Sequence, residues 1–117
     1  MITSVNSSIS ALQAFGRKLG VTSNNIANVN TDGYKKYRAN MTEGPNYDIQ
    51  VEIRRVETPG HTYRTVEGDQ TVTREASNVD LGEEIPEMIS TQNGYAANLK
   101  AMQAQDEMLG TLLDVVS

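Results

Sequence analysis

The residues with the chemistry for catalysis or metal binding are few in this chain. There is no cysteine, and His61 is the only histidine. It follows Pro59-Gly60 in a predicted turn, where a single histidine side chain is normally solvated. A zinc site would therefore depend on unusual carboxylate ligands. We expect no metal ion and no cofactor.

Three carboxylates, Glu83, Glu84 and Glu87, form the other candidate cluster. They lie at the start of a predicted helix, where negative charge interacts favourably with the positive end of the helix dipole. This position explains them without general acid–base catalysis. No group of glycines has the spacing of a phosphate-binding loop, and a single histidine in a turn does not make a serine–histidine–acid triad. The sequence therefore does not predict an enzyme.

Charge and hydropathy argue against two further classes of function. The formal net charge is −5 and the isoelectric point is near 4.8, opposite to the basic surface typical of nucleic-acid-binding proteins. No segment approaches the roughly 18 apolar residues of a membrane span. Residues 1–10 lack the basic start and long apolar run of a secretory signal. We therefore expect a chain that is cytoplasmic or exported by a route other than general secretion.

Charge is divided unevenly between the two ends of the chain. Residues 1–40 carry five basic side chains against Asp32 alone, whereas residues 81–117 carry six acidic side chains against Lys100 alone. Opposite charges of this kind guide pairing and register. Either the two ends attract each other, within one chain or between neighbouring chains, or they belong to two independently solvated helix faces.

A spacing of alternately three and four residues predicts a helix from about Thr3 to Ile26. This spacing places its members on one stripe, as in the seam of a coiled coil: Ile2, Val5, Ile9, Leu12, Gly16, Leu19, Ser23 and Ile26. The residues that follow, 27–33 (ANVNTDG), are turn formers, so the helix is expected to end there.

The middle of the chain, about residues 34–78, has the pattern of short strands. Apolar and polar residues alternate over 47–54, as in a strand with one buried face. Pro59-Gly60 predicts a turn, and two more strands are predicted at 63–66 and 70–73. Three or four short strands would form a small sheet or a pair of hairpins.

The C-terminal stretch, Leu81–Val116, has the strongest helical pattern. Asp80 can cap this helix, with Glu83 in capping-box spacing. The helix would be about 54 Å long, longer than the core of so short a chain can cover, so it needs a second helix beside it. Its seam runs unbroken in steps of three and four residues: Ile85, Met88, Gln92, Tyr95, Leu99, Met102, Asp106, Leu109, Leu113 and Val116.

Two features of this helix depart from a regular apolar pattern. Gln92 and Asp106 are polar, and a buried polar residue in a seam can fix helix register and the number of partners. Alternatively the seam is rotated slightly and both side chains reach solvent. Gly94 lies in mid-helix, where glycine costs about 1 kcal/mol relative to alanine, and it indicates either a hinge or a tight helix crossing.

Both ends of the chain resemble one protein family. Residues 10–14 (SALQA), 19–28 (LGVTSNNIAN) and 31–36 (TDGYKK) closely resemble the N-terminal signature of flagellar basal-body rod proteins. The other end resembles the C-terminal signature of the same family through residues 77–81 (SNVDL) and 106–109 (DEML), with Glu84, Met88, Ile89, Gln92, Tyr95, Asn98, Leu112 and Leu113. The resemblance covers more than half of the chain.

The resemblance implies an α+β fold in which long N- and C-terminal helices pair as an antiparallel coiled coil, with a small β-rich middle segment. The segments would be an assembly helix and turn at 1–33, the β-rich part at 34–78 and a second assembly helix at 79–117. It also implies a non-enzymatic motility protein that leaves the cytoplasm through the flagellar type III export apparatus. The subunit would polymerise helically, with itself and other axial proteins, in the periplasmic rod of the basal body.

The helix patterns and the resemblance together assign a set of residues to subunit assembly. For Asn24 and Asn25 the alternative is simple capping of the helix within the subunit. One of Tyr95 and Asn98 is expected to fill the seam while the other bonds across it. The set is Leu12, Leu19, Asn24, Asn25, Ile26, Asn28, Gly33, Tyr34, Ile85, Met88, Gln92, Tyr95, Asn98, Leu99, Met102, Asp106, Leu109 and Leu113.

Some residues depart from the family pattern, and others do not decide which member of the family the chain resembles most. Asp32 stands where the family commonly has a proline before the turn glycine. The short middle segment is similar to that of a proximal-rod subunit, whereas residues 77–81 also resemble distal-rod members, so the rod segment stays open. The alternative function is a non-polymerising adaptor or regulator that binds rod subunits or the export gate.

Overall fold

The computed structural model describes residues 2–116, with side chains from Val5 onward. The molecule is elongated, measuring 83 × 24 × 18 Å, and the predicted α+β class is confirmed. The predicted seam position Ile2 lies outside the described side chains. The elements are α1 (Ile2–Ala27), β1 (Tyr37–Glu43), β2 (Ile49–Arg55), β3 (Thr62–Glu67), β4 (Gln70–Glu75) and α2 (Leu81–Val116).

Helix α2 begins where the sequence predicts, but its cap differs. Asp80 Oδ1 accepts a hydrogen bond from the Gly82 N–H at 2.9 Å, and its backbone carbonyl accepts one from the Glu83 N–H at 3.0 Å. The Glu83 carboxylate pairs instead with Lys36 and Arg38. The predicted capping box is therefore wrong, because two cations bind this carboxylate more strongly than an exposed backbone N–H does.

The turn after α1 is closed by side chains and one glycine. The Asn24 carbonyl accepts both the Asn28 N–H at 3.2 Å and the Asn28 Nδ2 at 2.9 Å, so the Asn28 side chain reinforces the last turn of the helix. Gly33 has a φ of +74°, in the left-handed region that favours glycine. Its N–H donates to the Glu75 carbonyl at 3.0 Å, so the turn is attached to the end of β4.

The two helices run antiparallel. Near one end of the pair, Asn25 of α1 contacts Glu84 of α2 at 3.3 Å. Near the other end, the side-chain amide of Gln105 lies 3.5 Å from Ser8 Oγ. Beyond this point residues 106–116 of α2 are all exposed, and we call them the α2 tip.

The faces that pack together are rotated by about one residue from the predicted seams. The most buried positions on the two helices are small or polar: Ser8, Ala14, Thr22, Asn25, Glu84 and Thr91. The predicted seams are wrong in rotation, because several of their members are exposed: Ile9, Gly16, Ser23, Ile85, Gln92, Tyr95, Leu99 and Asp106. Gln92 and Asp106 thus reach solvent, as the second alternative requires.

The packing of Phe15 of α1 against Gly94 of α2 accounts for this rotation. Gly94 of α2 faces the ring of Phe15, and a Cβ added at Gly94 would lie 2.6 Å from Phe15 Cε1. Small residues let helices approach closely, which larger side chains in the predicted seams would prevent. Gly94 therefore marks a tight helix crossing.

Strands β1 and β2 pair antiparallel, from Tyr37 opposite Arg55 to Glu43 opposite Ile49, and form hairpin A. Hairpin A packs on α1, where Ser10 Oγ accepts from the Ile49 N–H at 2.7 Å and donates to the Ile49 carbonyl at 3.1 Å. Strand β1 was not predicted.

The predicted strand beginning at Tyr47 is wrong at its start. Tyr47 lies in the connection before β2, with a φ of +61° and 68% of its surface exposed. The chain reverses direction here through two residues in the left-handed region, Asn46 and Tyr47, and this geometry is incompatible with a strand.

Strands β3 and β4 also pair antiparallel and form hairpin B, which makes at most marginal contact with either helix. Glu75 holds the base of this hairpin by pairing with Lys35 and by accepting the Gly60 N–H at 3.1 Å. The Lys35 ammonium and the Gly60 N–H lower the pKa of the Glu75 carboxyl. In addition, the Tyr63 hydroxyl of β3 donates to Asp32, in the turn after α1, at 2.6 Å.

Replacing Gly94 with alanine tests the tight crossing. The helix propensity of alanine favours the change by about 1 kcal/mol, but overlap with Phe15 should destabilise the fold by a net of roughly 1–3 kcal/mol. Urea unfolding followed by circular dichroism measures the difference. Gly16→Ala is the matched control, because no atom lies within 4 Å of a Cβ added at that exposed helical position; it should be neutral or stabilising. Equal stabilisation by both changes would contradict the tight crossing.

The lowered pKa of Glu75 predicts acid sensitivity at the base of hairpin B. A carboxyl whose folded pKa is depressed contributes stability above its unfolded value, near 4.5, and loses it as the pH falls through the folded pKa. Thermal unfolding between pH 6 and pH 3 should therefore show a steeper loss of Tm in the original chain than in Glu75→Gln. Parallel curves would show that the Lys35 and Gly60 contacts do not stabilise the ionised carboxylate.

Candidate subunit interface

The side chain of Asn25 joins α1, β1 and α2. It is 1% exposed, and its Nδ2 donates to the Tyr37 carbonyl at 2.8 Å and to Glu84 Oε2 at 3.3 Å. Its Oδ1 accepts from the Tyr37 N–H at 3.0 Å and from the Tyr34 hydroxyl at 3.1 Å. All four hydrogen-bonding positions of the amide are thus used within the chain. The structure gives Asn25 an internal role that goes beyond capping α1.

Glu84 is the charged residue at the centre of this junction. It is 0% exposed, and its Oε1 lies 3.0 Å from Arg38 Nη1. Removing one partner of a buried ion pair typically costs about 3–5 kcal/mol. The helix dipole therefore explains only part of its position, because Glu84 holds β1 against the start of α2.

Further ion pairs surround Glu84 and join the basic N-terminal segment to α2. Lys36 Nζ lies 3.1 Å from Glu83 Oε2, and Arg38 also pairs with Glu83. Farther along the helix pair, Lys18 lies 3.3 Å from Glu87. The opposite charges of the two ends therefore attract each other within one chain, rather than being solvated separately.

Tyr34 completes the junction from the turn after α1. Its hydroxyl donates to Asn25 and accepts from Asn24 Nδ2 at 3.3 Å. Burial, together with the nearby Tyr37 and Glu84, raises the pKa of Tyr34. The phenol therefore remains a hydrogen-bond donor well above neutral pH.

Asn78 has a comparable role that sequence reasoning missed. Its Oδ1 accepts from the Lys36 N–H at 2.7 Å, and its Nδ2 donates to the carbonyls of Val56 at 2.9 Å and Thr58 at 2.8 Å. This side chain, immediately before α2, thus links its own segment to the residue before β1 and to the connection after β2. A signal was present, because Asn78 stands in the SNVDL segment, but the sequence does not reveal which backbone groups an asparagine will bind.

The predicted assembly residues fall into two groups besides the buried Asn25. Half-buried positions contribute partly to the subunit's own packing: Leu12, Leu19, Ile26, Asn28, Tyr34, Met88, Asn98 and Met102. Exposed positions are available to a neighbour: Asn24, Gly33, Ile85, Gln92, Tyr95, Leu99, Asp106, Leu109 and Leu113. Asn98 bonds across the helix pair to the Ser8 carbonyl at 2.6 Å, as expected for one of the two residues. Tyr95 does not fill the seam as expected for the other, because it is 39% exposed.

The largest apolar exposure lies on α2. Along the paired part of the helix, an apolar flank is exposed beside the buried face: Leu81, Ile85, Ile89, Tyr95 and Leu99. The α2 tip adds Met108, Leu109, Leu112, Leu113, Val115 and Val116, with exposed fractions from 37% to 85%. Contiguous apolar surface of this kind is typical of an interaction site.

A groove lies on another side of α1, between that helix and hairpin A. Its volume is about 550 Å³, and its lining residues are Arg17, Gly20, Val21, Asn24, Tyr37 and Ile53. Ile53 is 42% exposed there. No residue of α2 lines this groove, so the groove and the α2 surfaces are separate.

The described residues offer little for catalysis. Among residues 5–116 no group of three or more His, Cys, Asp or Glu side chains could hold a metal ion. His61 is exposed and lines an open cleft of about 520 Å³ with Lys36 and Asp80. Within residues 2–116 no helix has the length and apolar character needed to cross a membrane.

Asn25→Ala tests the junction. It would leave the partly buried N–H and carbonyl of Tyr37 without their partner, at about 1–3 kcal/mol for each unsatisfied group. The free energy of unfolding should therefore fall by at least about 2 kcal/mol. The neighbouring Asn24→Ala, at an exposed position, should change it by less than about 1 kcal/mol. Similar losses in both variants would show that the Asn25 amide is not the central link.

Comparison with known proteins adds independent findings at both ends of the chain. Residues 6–35 match the family model described as flagella basal body rod protein. Residues 72–115 match the model described as flagellar basal body rod FlgEFG protein C-terminal. Together the two matches cover more than half of the chain.

Flagellar hook proteins are similar over a shorter stretch. The chain is 46% identical over 43 residues to the flagellar hook protein FlgE of Treponema pallidum, which covers 37% of this chain and 9% of that protein. It is 44% identical over 41 residues to FlgE of Escherichia coli, covering 35% of this chain and 10% of that protein. The matched stretch thus spans about a tenth of the length of these relatives.

The two family matches lie at the two ends where the helices pair, and both describe proteins of the flagellar basal body. This chain therefore belongs to the family of flagellar rod and hook proteins and is a component of the flagellar basal body.

Proposed function

We propose that this chain is a structural subunit of the basal-body rod that polymerises helically through α1 and α2 after type III export. The observation that carries the proposal is the α2 tip, whose apolar side chains are exposed along one broad side of the helix. No catalytic step is part of the function. Its neighbours in the periplasmic rod would be further copies of the chain and other axial proteins.

The energetics of the α2 tip support assembly. Full burial of a valine, leucine or methionine side chain contributes about 1.5–3 kcal/mol. Covering only three of the six exposed apolar residues would therefore contribute several kcal/mol to association. Because residues 106–116 are all exposed in the subunit, burial against a neighbour accounts for their apolar character.

The apolar flank of α2 extends this surface toward the junction. Ile85, Tyr95 and Leu99 belong to the predicted seam, yet the subunit leaves them 38–41% exposed. Residues with the spacing of a coiled-coil seam can pack against a helix of a neighbouring subunit. The subunit's own helix pairing uses the polar face beside them, so both contacts can form together.

The α2 tip provides the test of this function. Deleting residues from Leu109 on, or replacing Leu109 with aspartate, should abolish entry into the rod while leaving the monomer folded. Gln103→Asp is the control, because it adds the same charge at an exposed position of α2 just before the tip. The measurement is mass spectrometry of purified hook–basal-body complexes, with each variant quantified against known rod components. Circular dichroism of the purified monomers reports folding.

Normal copy numbers for the truncated chain would contradict assembly through the α2 tip. Absence of the original chain from the complexes, despite its expression, would favour the alternative of a non-polymerising adaptor or regulator. We expect several copies of the original chain per complex. Leu109→Asp should reduce this copy number at least about tenfold, and Gln103→Asp should leave it unchanged.

A further inference from the structure

We infer that the α2 tip of one subunit docks into the groove between α1 and hairpin A of a second copy of this chain. The inference rests on the proposed function and names the two surfaces that meet. The tip face involved contains Glu107, Met108 and Leu112, and the groove presents Arg17, Val21 and Ile53.

Charge complementarity argues for this occupant. Arg17 and Glu107 are both exposed, and neither belongs to the ion pairs found among residues 5–116. In contrast, Lys18, Lys36 and Arg38 of the same basic segment are all paired with α2 of their own chain. Arg17 is thus the cation of this segment that is left for a neighbour, and it lies in the groove.

Apolar surface supports the same pairing. Met108 and Leu112 are 59% and 51% exposed and line a shallow concave face of the tip with Glu107. Across the interface, Ile53 is 42% exposed and Val21 is half-buried. Gly20 also lines the groove, and no atom lies within 4 Å of a Cβ added there. The groove therefore has room for a helix to approach closely.

The placement of the two surfaces excludes docking within one chain. Ser8 lies near Gln105, the tip runs away from that point, and Val21 is about 20 Å farther along α1 in the opposite direction. The contact must therefore join different copies. Two different surfaces on one subunit make a head-to-tail contact, which produces a ring or an open helical array rather than a two-fold pair.

Disulfide crosslinking tests the contact directly, because the chain has no native cysteine. The double variant Ile53→Cys/Leu112→Cys places one thiol in the groove and one on the tip face. Oxidised hook–basal-body complexes should give a ladder of dimers and higher multimers of this chain. An intrachain bridge is excluded, since a disulfide needs Cα atoms within about 7 Å. The matched control is Ile53→Cys/Leu113→Cys, because consecutive helical residues point about 100° apart and Leu113 does not line the tip face that contains Leu112. This variant should give little or no ladder.

Charge reversal provides the second measurement. Arg17→Glu and Glu107→Lys should each lower the copies per complex by about tenfold, because like charges would then meet across the contact. The double variant Arg17→Glu/Glu107→Lys should recover to within about threefold of the original chain. Arg64→Glu, at an exposed position of hairpin B, controls for the change in net charge.

The outcomes separate this inference from the proposed function. Equal ladders from both cysteine pairs, no ladder, or a crosslink to a protein of different mass would overturn docking of a second copy in this groove. If rods still required the tip in those cases, the structural function would stand. Failure of the original chain to enter the complexes would overturn both.

Discussion

The buried amide of Asn25 is the contact on which the arrangement of the subunit depends. It holds β1 against the end of α1 by bonding to both backbone groups of Tyr37, and it meets Glu84 at the start of α2. Two segments far apart in sequence are thereby fixed at one point. The largest fully buried side chains of the described chain are Glu84 and Asn25, so polar bonding rather than apolar volume defines this junction.

A polar junction leaves the larger apolar residues of the chain for the surface that is proposed to bind neighbouring subunits. Ala14 and Ala39 are the buried hydrophobic residues in the described part of the chain, while α2 exposes a long series of larger ones. Hydrogen bonds and ion pairs require specific geometry, so they fix helix register without consuming much apolar surface. The faces with coiled-coil spacing are then available for contacts between subunits.

The sequence predicted the elements well and their packing less well. Periodicity located α2 from Leu81 to Val116, since a long uninterrupted helical pattern is the strongest local signal. It placed the seam one residue away from the face that packs, because hydrophobic spacing does not reveal that Gly94 admits Phe15. Strand β1 was missed although Tyr37, Ala39 and Met41 alternate with polar neighbours, because the run is short and alanine has a low propensity for strands. The roles of Asn25, Asn78 and Glu84 depend on partners distant in sequence, which a linear pattern does not specify.

Hairpin B has a consequence for how such a subunit can change in size. The contacts of Glu75 with Lys35 and Gly60 attach the base of this hairpin to the rest of the chain. The turn around Gly68 lies at the opposite end of the hairpin. Lengthening a loop costs only about 0.6 kcal/mol for each doubling of its length. An insertion between β3 and β4 would therefore enlarge the outer part of the molecule while the helices kept their packing. Hairpin B is therefore a place where a new domain could be inserted without disturbing the two helices that are proposed to make contacts between subunits.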